Sequence, residues 1–80
     1  MKAKVYINYK EGILDPQGAT VKKALKTMGF EGIKEIRIGK LIEINYDSIS
    51  KEKAIELTDT ACIKLLSNPN TESYTFEIED

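Results

Sequence analysis

Few side chains in this sequence are equipped for chemistry. Cys62 is its only cysteine and there is no histidine, so a thiol nucleophile has no imidazole base to activate it. A zinc site lacks both a second thiol and an imidazole, and a Cys-X-X-Cys metal carrier is excluded by the same count. Gly12, Gly18, Gly29, Gly32 and Gly39 match no phosphate-cradling spacing of the P-loop kind. Cys62 falls on an apolar helical seam without a cationic neighbour in sequence, which predicts a small buried hydrophobe and not a reactive thiol. The stretch that stands out is Leu14-Asp15-Pro16-Gln17-Gly18. Asp15 is placed to cap the first free N–H groups of a helix, and Pro16 suits the first helical position, where no N–H is needed. Gly18 then costs about 1 kcal/mol against alanine inside a helix, which implies a close approach that leaves no space for a side chain. This is contact chemistry, and the expectation is an interaction module with no catalytic residue and no metal site of its own.

Composition points the same way. Twelve Lys+Arg against thirteen Asp+Glu leave a net charge of −1 with the signs mixed along the chain. No basic stripe is available to displace phosphate counterions, and Arg37 is the only arginine, so nucleic acid is not an expected partner. No apolar run approaches the ~20 residues of a membrane helix, and no apolar signal region precedes the first strand pattern. A soluble, cytoplasmic protein is expected. Eighty residues make one domain, over 1–80, that buries only about 60–65% of its unfolded surface. With neither disulfide nor metal to help, oligomerisation is the remaining remedy, and a homodimer or tetramer is predicted.

The elements that must position these residues follow from periodicity. Residues 3–9 alternate, with Val5, Ile7 and Tyr9 on one face, and predict a strand. Val21, Ala24, Leu25 and Met28 give one apolar face to a helix from Pro16 to Met28, closed by Gly29 at C′ with Phe30 folding back. From Ile33 to Tyr46, the residues Ile36, Ile38, Ile42, Ile44 and Tyr46 keep a single parity. A two-residue hairpin at Gly39-Lys40 would break that parity, and a three-residue loop would put Leu41 in the left-handed region. One long strand bent at Gly39 is therefore predicted, its two halves serving different sheets, one shared with a partner. Ser50 caps a second helix over Lys51–Ser67, with a seam of Ala54, Leu57, Ala61 and Leu65 widened by Thr58, Cys62 and Leu66. Asn68 is expected left-handed at its end, with Pro69 as the stop. Tyr74, Phe76 and Ile78 alternate with Thr75, Glu77 and Glu79 in a last strand. The order β-α-β(-β)-α-β predicts an α+β two-layer sandwich with an antiparallel sheet, related to the ferredoxin-like class, with sheets joined in a dimer.

Read together, Leu14-Asp15-Pro16-Gln17-Gly18, Arg37-Ile38-Gly39-Lys40 and Leu65-Leu66-Ser67-Asn68-Pro69 resemble, in order and spacing, the PurS family. Its members are the small subunit of phosphoribosylformylglycinamidine (FGAM) synthase of purine biosynthesis. The resemblance covers nearly the whole chain. One departure follows Pro69: family members typically carry an apolar pair before the glutamate, and this chain has Asn70-Thr71-Glu72.

The resemblance implies a non-catalytic bridging subunit of a glutamine-dependent ligase. It implies a large PurL-like synthetase partner that binds ATP and the formylglycinamide ribonucleotide, and a PurQ-like glutaminase partner that releases ammonia. ATP, Mg and glutamine are then used by the partners, and no cofactor is bound by this chain. Asp15, Pro16, Gln17, Gly18, Arg37, Gly39, Lys40, Asn68 and Pro69 are the candidate partner-binding residues. Ile42, Ile44, Tyr46, Tyr74 and Phe76 are candidates for a dimer sheet. The competing reading is a small dimeric regulatory module that binds an amino acid or nucleotide. An RNA-binding domain lacks its aromatic pattern and basic face.

Overall fold

The strand pattern near the N-terminus becomes β1, Lys2–Tyr9, in a computed structural model that describes every residue from Met1 to Asp80. Ala3, Val5 and Ile7 are buried and Tyr6 and Asn8 are exposed, the alternation a half-buried strand requires. β1 is central. It pairs antiparallel with β2 (Lys40–Asn45) on one side and β3 (Glu72–Glu79) on the other. Val5 lies opposite Ile42 and Phe76, and Ala3 opposite Ile44 and Ile78, so the inward residues of all three strands share one face. The outward face is held by polar pairs: Lys2 with Glu43 at 2.9 Å, Lys4 with Glu79 at 3.2 Å, and the Tyr6 hydroxyl donating to Glu77 at 3.0 Å.

The second helix, α2 (Lys51–Ala61), covers the inward face after the Ser50 hydroxyl caps Lys53 N–H at 3.1 Å. Its buried row is Ala54, Thr58 and Cys62. Leu57 and Leu65 of the predicted seam are exposed instead, Leu65 to 82%. The helix settles on its small residues because they allow the closest approach to the sheet, and residues three positions on lie about 60° around the helix. Two hydroxyl contacts fix the approach: Tyr46 with Thr58 at 2.8 Å, and Tyr74 donating to Asp59 at 2.6 Å. The predicted helix to Ser67 is continuous in path, but Cys62–Leu66 is a π-helical turn. Ser67 causes it, since its N–H and its hydroxyl both donate to the Cys62 carbonyl, at 3.0 and 2.9 Å. Asn68 is not left-handed, because no residue other than glycine has positive φ. It closes the turn through its side chain, which accepts from Asn70 N–H at 3.0 Å.

The first helix, α1 (Pro16–Thr27), ends as the sequence predicts. Gly29, at φ 92°, donates to the Lys26 carbonyl and Phe30 to that of Leu25, a complete Schellman closure. Its packing is another matter. Only Gly18 in α1 is buried, while Met28 is 70% and Phe30 53% exposed. The long strand predicted from Ile33 is regular only from Lys40. Residues 31–39 make no hydrogen bond to another main-chain group, because no strand of the same chain runs beside them. There is no hairpin at Gly39, since β2 pairs only with β1. The result is α+β, ferredoxin-like in element order, with an arm of α1 and residues 33–38 held away from the sheet.

The dimensions record that separation. The radius of gyration is 16.1 Å, against about 12 Å for a compact domain of this length. The exposed surface is 5995 Å², where about 4,850 Å² suits a folded monomer of this mass. Only eight residues are buried. Ile7→Ala, at the centre of that small core, is expected to cost about 2–5 kcal/mol in denaturant unfolding at fixed protein concentration. The bond to Asp59, with burial second, pushes the Tyr74 phenol up to about 12. A pKa raised on folding contributes stability that is intact below the usual tyrosine value and lost as pH climbs through the folded one. The Tyr6 phenol is raised as well, by its bond to Glu77, so tyrosinate absorbance is expected to show late ionisation at both, and Asp59→Ala to return only Tyr74 toward the ordinary value.

Candidate functional site

Three segments far apart in sequence meet where β1 ends and β2 and β3 begin. Asp15 is the joint between two of them. One carboxylate oxygen accepts Gly18 N–H at 2.8 Å, as a helix cap should, and the other accepts Ile38 N–H at 2.7 Å. These N–H groups, Gly18 first, hold the Asp15 carboxyl below its usual range. Asp15 thus ties the start of α1 to residues 33–38, and the two form one arm.

The glycines at this junction are set by space, not by φ, since neither Gly18 nor Gly39 is in the left-handed region. A Cβ on Gly18 would collide with the Ile36 carbonyl, which accounts for the glycine that helix propensity disfavours. A Cβ on Gly39 would lie 2.6 Å from the Ile7 carbonyl and against the Asn8 side chain. Arg37 closes the same corner. Its guanidinium donates to the Tyr9 carbonyl and pairs with Glu11 at 3.6 Å and Glu35 at 3.8 Å. Lys40, 64% exposed, stands 3.8 Å from Glu72, which accepts Asn68 N–H at 2.7 Å. Lys10 donates to the Pro69 carbonyl at 2.6 Å. A crevice of about 40 Å³ between Gln17, Gly39, Lys40 and Glu72 marks the meeting point.

All nine candidate contact residues therefore gather at one end of the sheet. They divide by role within the chain: Asp15, Gly18, Arg37 and Gly39 build the junction, while Pro16, Gln17, Lys40, Asn68 and Pro69 face solvent. Ile42, Ile44, Tyr46, Tyr74 and Phe76 lie on the inward face beneath α2, all half-buried, with the Tyr74 and Phe76 rings stacked at 6.4 Å. Lys10 escaped the sequence reading, and Glu72 entered it only as the residue after the Asn70-Thr71 departure and not as part of the site. The four-residue step from Asn68 to Glu72 across a proline was the available signal for Glu72. Cys62 lies apart, under α2, where burial pushes its thiol up. No titratable pair at the junction is arranged as a nucleophile and its base; the groups present a shaped surface.

Fold and site define a small α+β interaction module with an arm poised away from its sheet. The chain matches the family model of PurS, phosphoribosylformylglycinamidine (FGAM) synthase, over residues 2–80. It belongs to that family. It is 38% identical to the FGAM synthase subunit PurS of Methanocaldococcus jannaschii, covering 98% of this chain and 94% of that protein. The Bacillus subtilis PurS is also 38% identical, over 99% and 93% of the two chains. The crystal structure of the Methanocaldococcus jannaschii protein superposes with a TM-score of 0.86. The structure of PurLQS from Thermotoga maritima matches with a TM-score of 0.84 at 33% identity, over 95% of this chain and 93% of that one. The competing reading, a free metabolite-binding module, gains nothing from these relatives.

Two outcomes test the junction. Gly18→Ala raises helix propensity yet is expected to lower Tm, because its Cβ meets the Ile36 carbonyl; thermal unfolding checks the sign. Asp15→Ala is expected to lower Tm at neutral pH by several degrees. A carboxyl whose pKa is depressed on folding stabilises above its unfolded value and loses that contribution as pH falls through the folded one. The Tm gap between wild type and Asp15→Ala should therefore narrow as pH drops below about 4.

Proposed function

We propose that this chain is a non-catalytic bridging subunit of FGAM synthase. It helps dock a PurQ-like glutaminase on a PurL-like synthetase and supports passage of ammonia between them. ATP, Mg and glutamine are handled by those partners, and the three work together in the cytoplasm. The observation that carries this reading is the convergence of Asp15–Gly18, Arg37–Lys40 and Asn68–Pro69 on one face that holds no reactive group. Transfer of ammonia needs a water-excluding path held in register, which a wedge with no chemistry of its own can provide. Pro16, Gln17, Lys40, Asn68 and Pro69 make the contacts, and Asp15, Gly18, Arg37 and Gly39 set their geometry. No helix is long and apolar enough to cross a membrane.

The working unit is a symmetric pair that exchanges arms. Residues 33–38 of one chain lie along the free edge of the other's β2, and Val21, Leu25 and Met28 of α1 cover Ile42, Ile44 and the exposed Leu57 and Leu65. The excess exposed surface, about 1,100 Å² per chain over a compact monomer, is of the size that stable protein interfaces bury on each partner. Along residues 33–38, main-chain groups other than the Ile38 N–H and the Lys34 carbonyl gain the partners they lack within one chain.

Reconstitution is the test. The purified chain alone is expected to turn over nothing, and glutamine-dependent FGAM formation by the two partner subunits to depend on its addition. Equal rates with and without it would remove the bridging role. Lys40→Glu is expected to weaken association with the partners while leaving the circular dichroism spectrum unchanged.

A further inference from the structure

Gly39-Lys40-Leu41 joins residues 33–38 to β2. It is the point at which the chain would double back to lay those residues on its own β2 edge. Closing there would complete a four-stranded ferredoxin-like sheet within one chain, with α1 beside α2. Closure is opposed in two ways. A two-residue hairpin at Gly39-Lys40 would pair Ile38 with Leu41, which lies opposite Tyr6 on the outward face, whereas Ile38 has the parity of Ile42 and Ile44. A three-residue loop over Gly39–Leu41 restores the pairing of Ile38 with Ile42, but places a leucine in the left-handed region, where its Cβ crowds the following carbonyl. Gly39 meanwhile lies where a Cβ would stand 2.6 Å from the Ile7 carbonyl.

We propose that Gly39-Lys40-Leu41 is a hinge locked open by Leu41, so that two copies of this chain exchange arms instead of each closing on itself. The proposal rests on the exchanged pair described above. The arm moves as a body, because Asp15 holds the start of α1 and Ile38 together. A residue at position 41 that accepts left-handed backbone frees the arm to fold onto its own sheet. Each apolar surface is then covered from within, and the need for a second copy disappears.

Sedimentation at low micromolar concentration decides it. Wild type and Leu41→Ala are expected to run at a multiple of the 9.0 kDa chain mass. Leu41→Gly is expected at one chain mass with wild-type circular dichroism. Insertion of two glycines between Gly39 and Lys40 keeps Ile38 opposite Ile42 in a longer loop, and is expected to give the same folded monomer if Leu41→Gly does not fold. The hinge is overturned if both variants fold at wild-type mass, or if neither yields a folded monomer. It is equally overturned if Leu41→Ala dissociates, since that would assign Leu41 to contact and not to backbone. A wild-type protein that itself runs at one chain mass removes the exchanged pair, and the hinge with it.

Discussion

One carboxylate holds the unusual shape of this chain together. Asp15 accepts Gly18 N–H with one oxygen and Ile38 N–H with the other, so that a helix start and an extended segment more than twenty residues later behave as one piece. A second bond, from the Lys22 ammonium to the Lys34 carbonyl at 2.6 Å, joins α1 to the same segment further along. Together they form an arm that emerges from the end of β1. Gly18 makes room for the Ile36 carbonyl beside the Asp15 bond, and Arg37 ties the arm back to Tyr9. Because the carboxylate is worth most when charged, the arm's direction is tied to a group that stays ionised at any ordinary cellular pH.

The second constraint is area. A sheet with one helix on one face leaves the inner side of β2 half covered, and an arm built of apolar residues leaves its own face bare. Eighty residues in this arrangement bury about 1,100 Å² less surface than a compact monomer of the same mass. The exposure is therefore a statement about assembly. A subunit that is incomplete alone, and whose shaped end carries no reactive group, suits a place between larger catalysts better than a task of its own.

Much of this was legible in the residues. The alternation of Ala3 to Tyr9 and of Tyr74 to Ile78, the Asp15-Pro16 start and the Gly29 stop each follow from local physics, and each stands where expected. Gly18 was readable as a position without space, although only the fold shows that the space is taken by the chain's own Ile36 carbonyl. Parity placed Ile36 to Tyr46 on one continuous path, but parity does not say which chain lies alongside; hence a strand was expected over residues that are unpaired here. The seam of α2 was misjudged because periodicity treats Ala54 and Leu57 alike, whereas packing prefers whichever row lets the helix come nearest. The π turn at Cys62–Leu66 and the Asn68 turn depend on Ser67 and Glu72, single polar contacts that hydrophobic periodicity does not register.

Amide hydrogen exchange along residues 33–37 tests the central claim most directly. These backbone groups have no main-chain partner within one chain, so an unassociated arm leaves them to exchange as freely as a loop. If the chain is completed by a second copy, alternate amides in this segment exchange as slowly as those of β1. Exchange at loop rates throughout 33–37, in protein whose β1 is protected, would contradict the account.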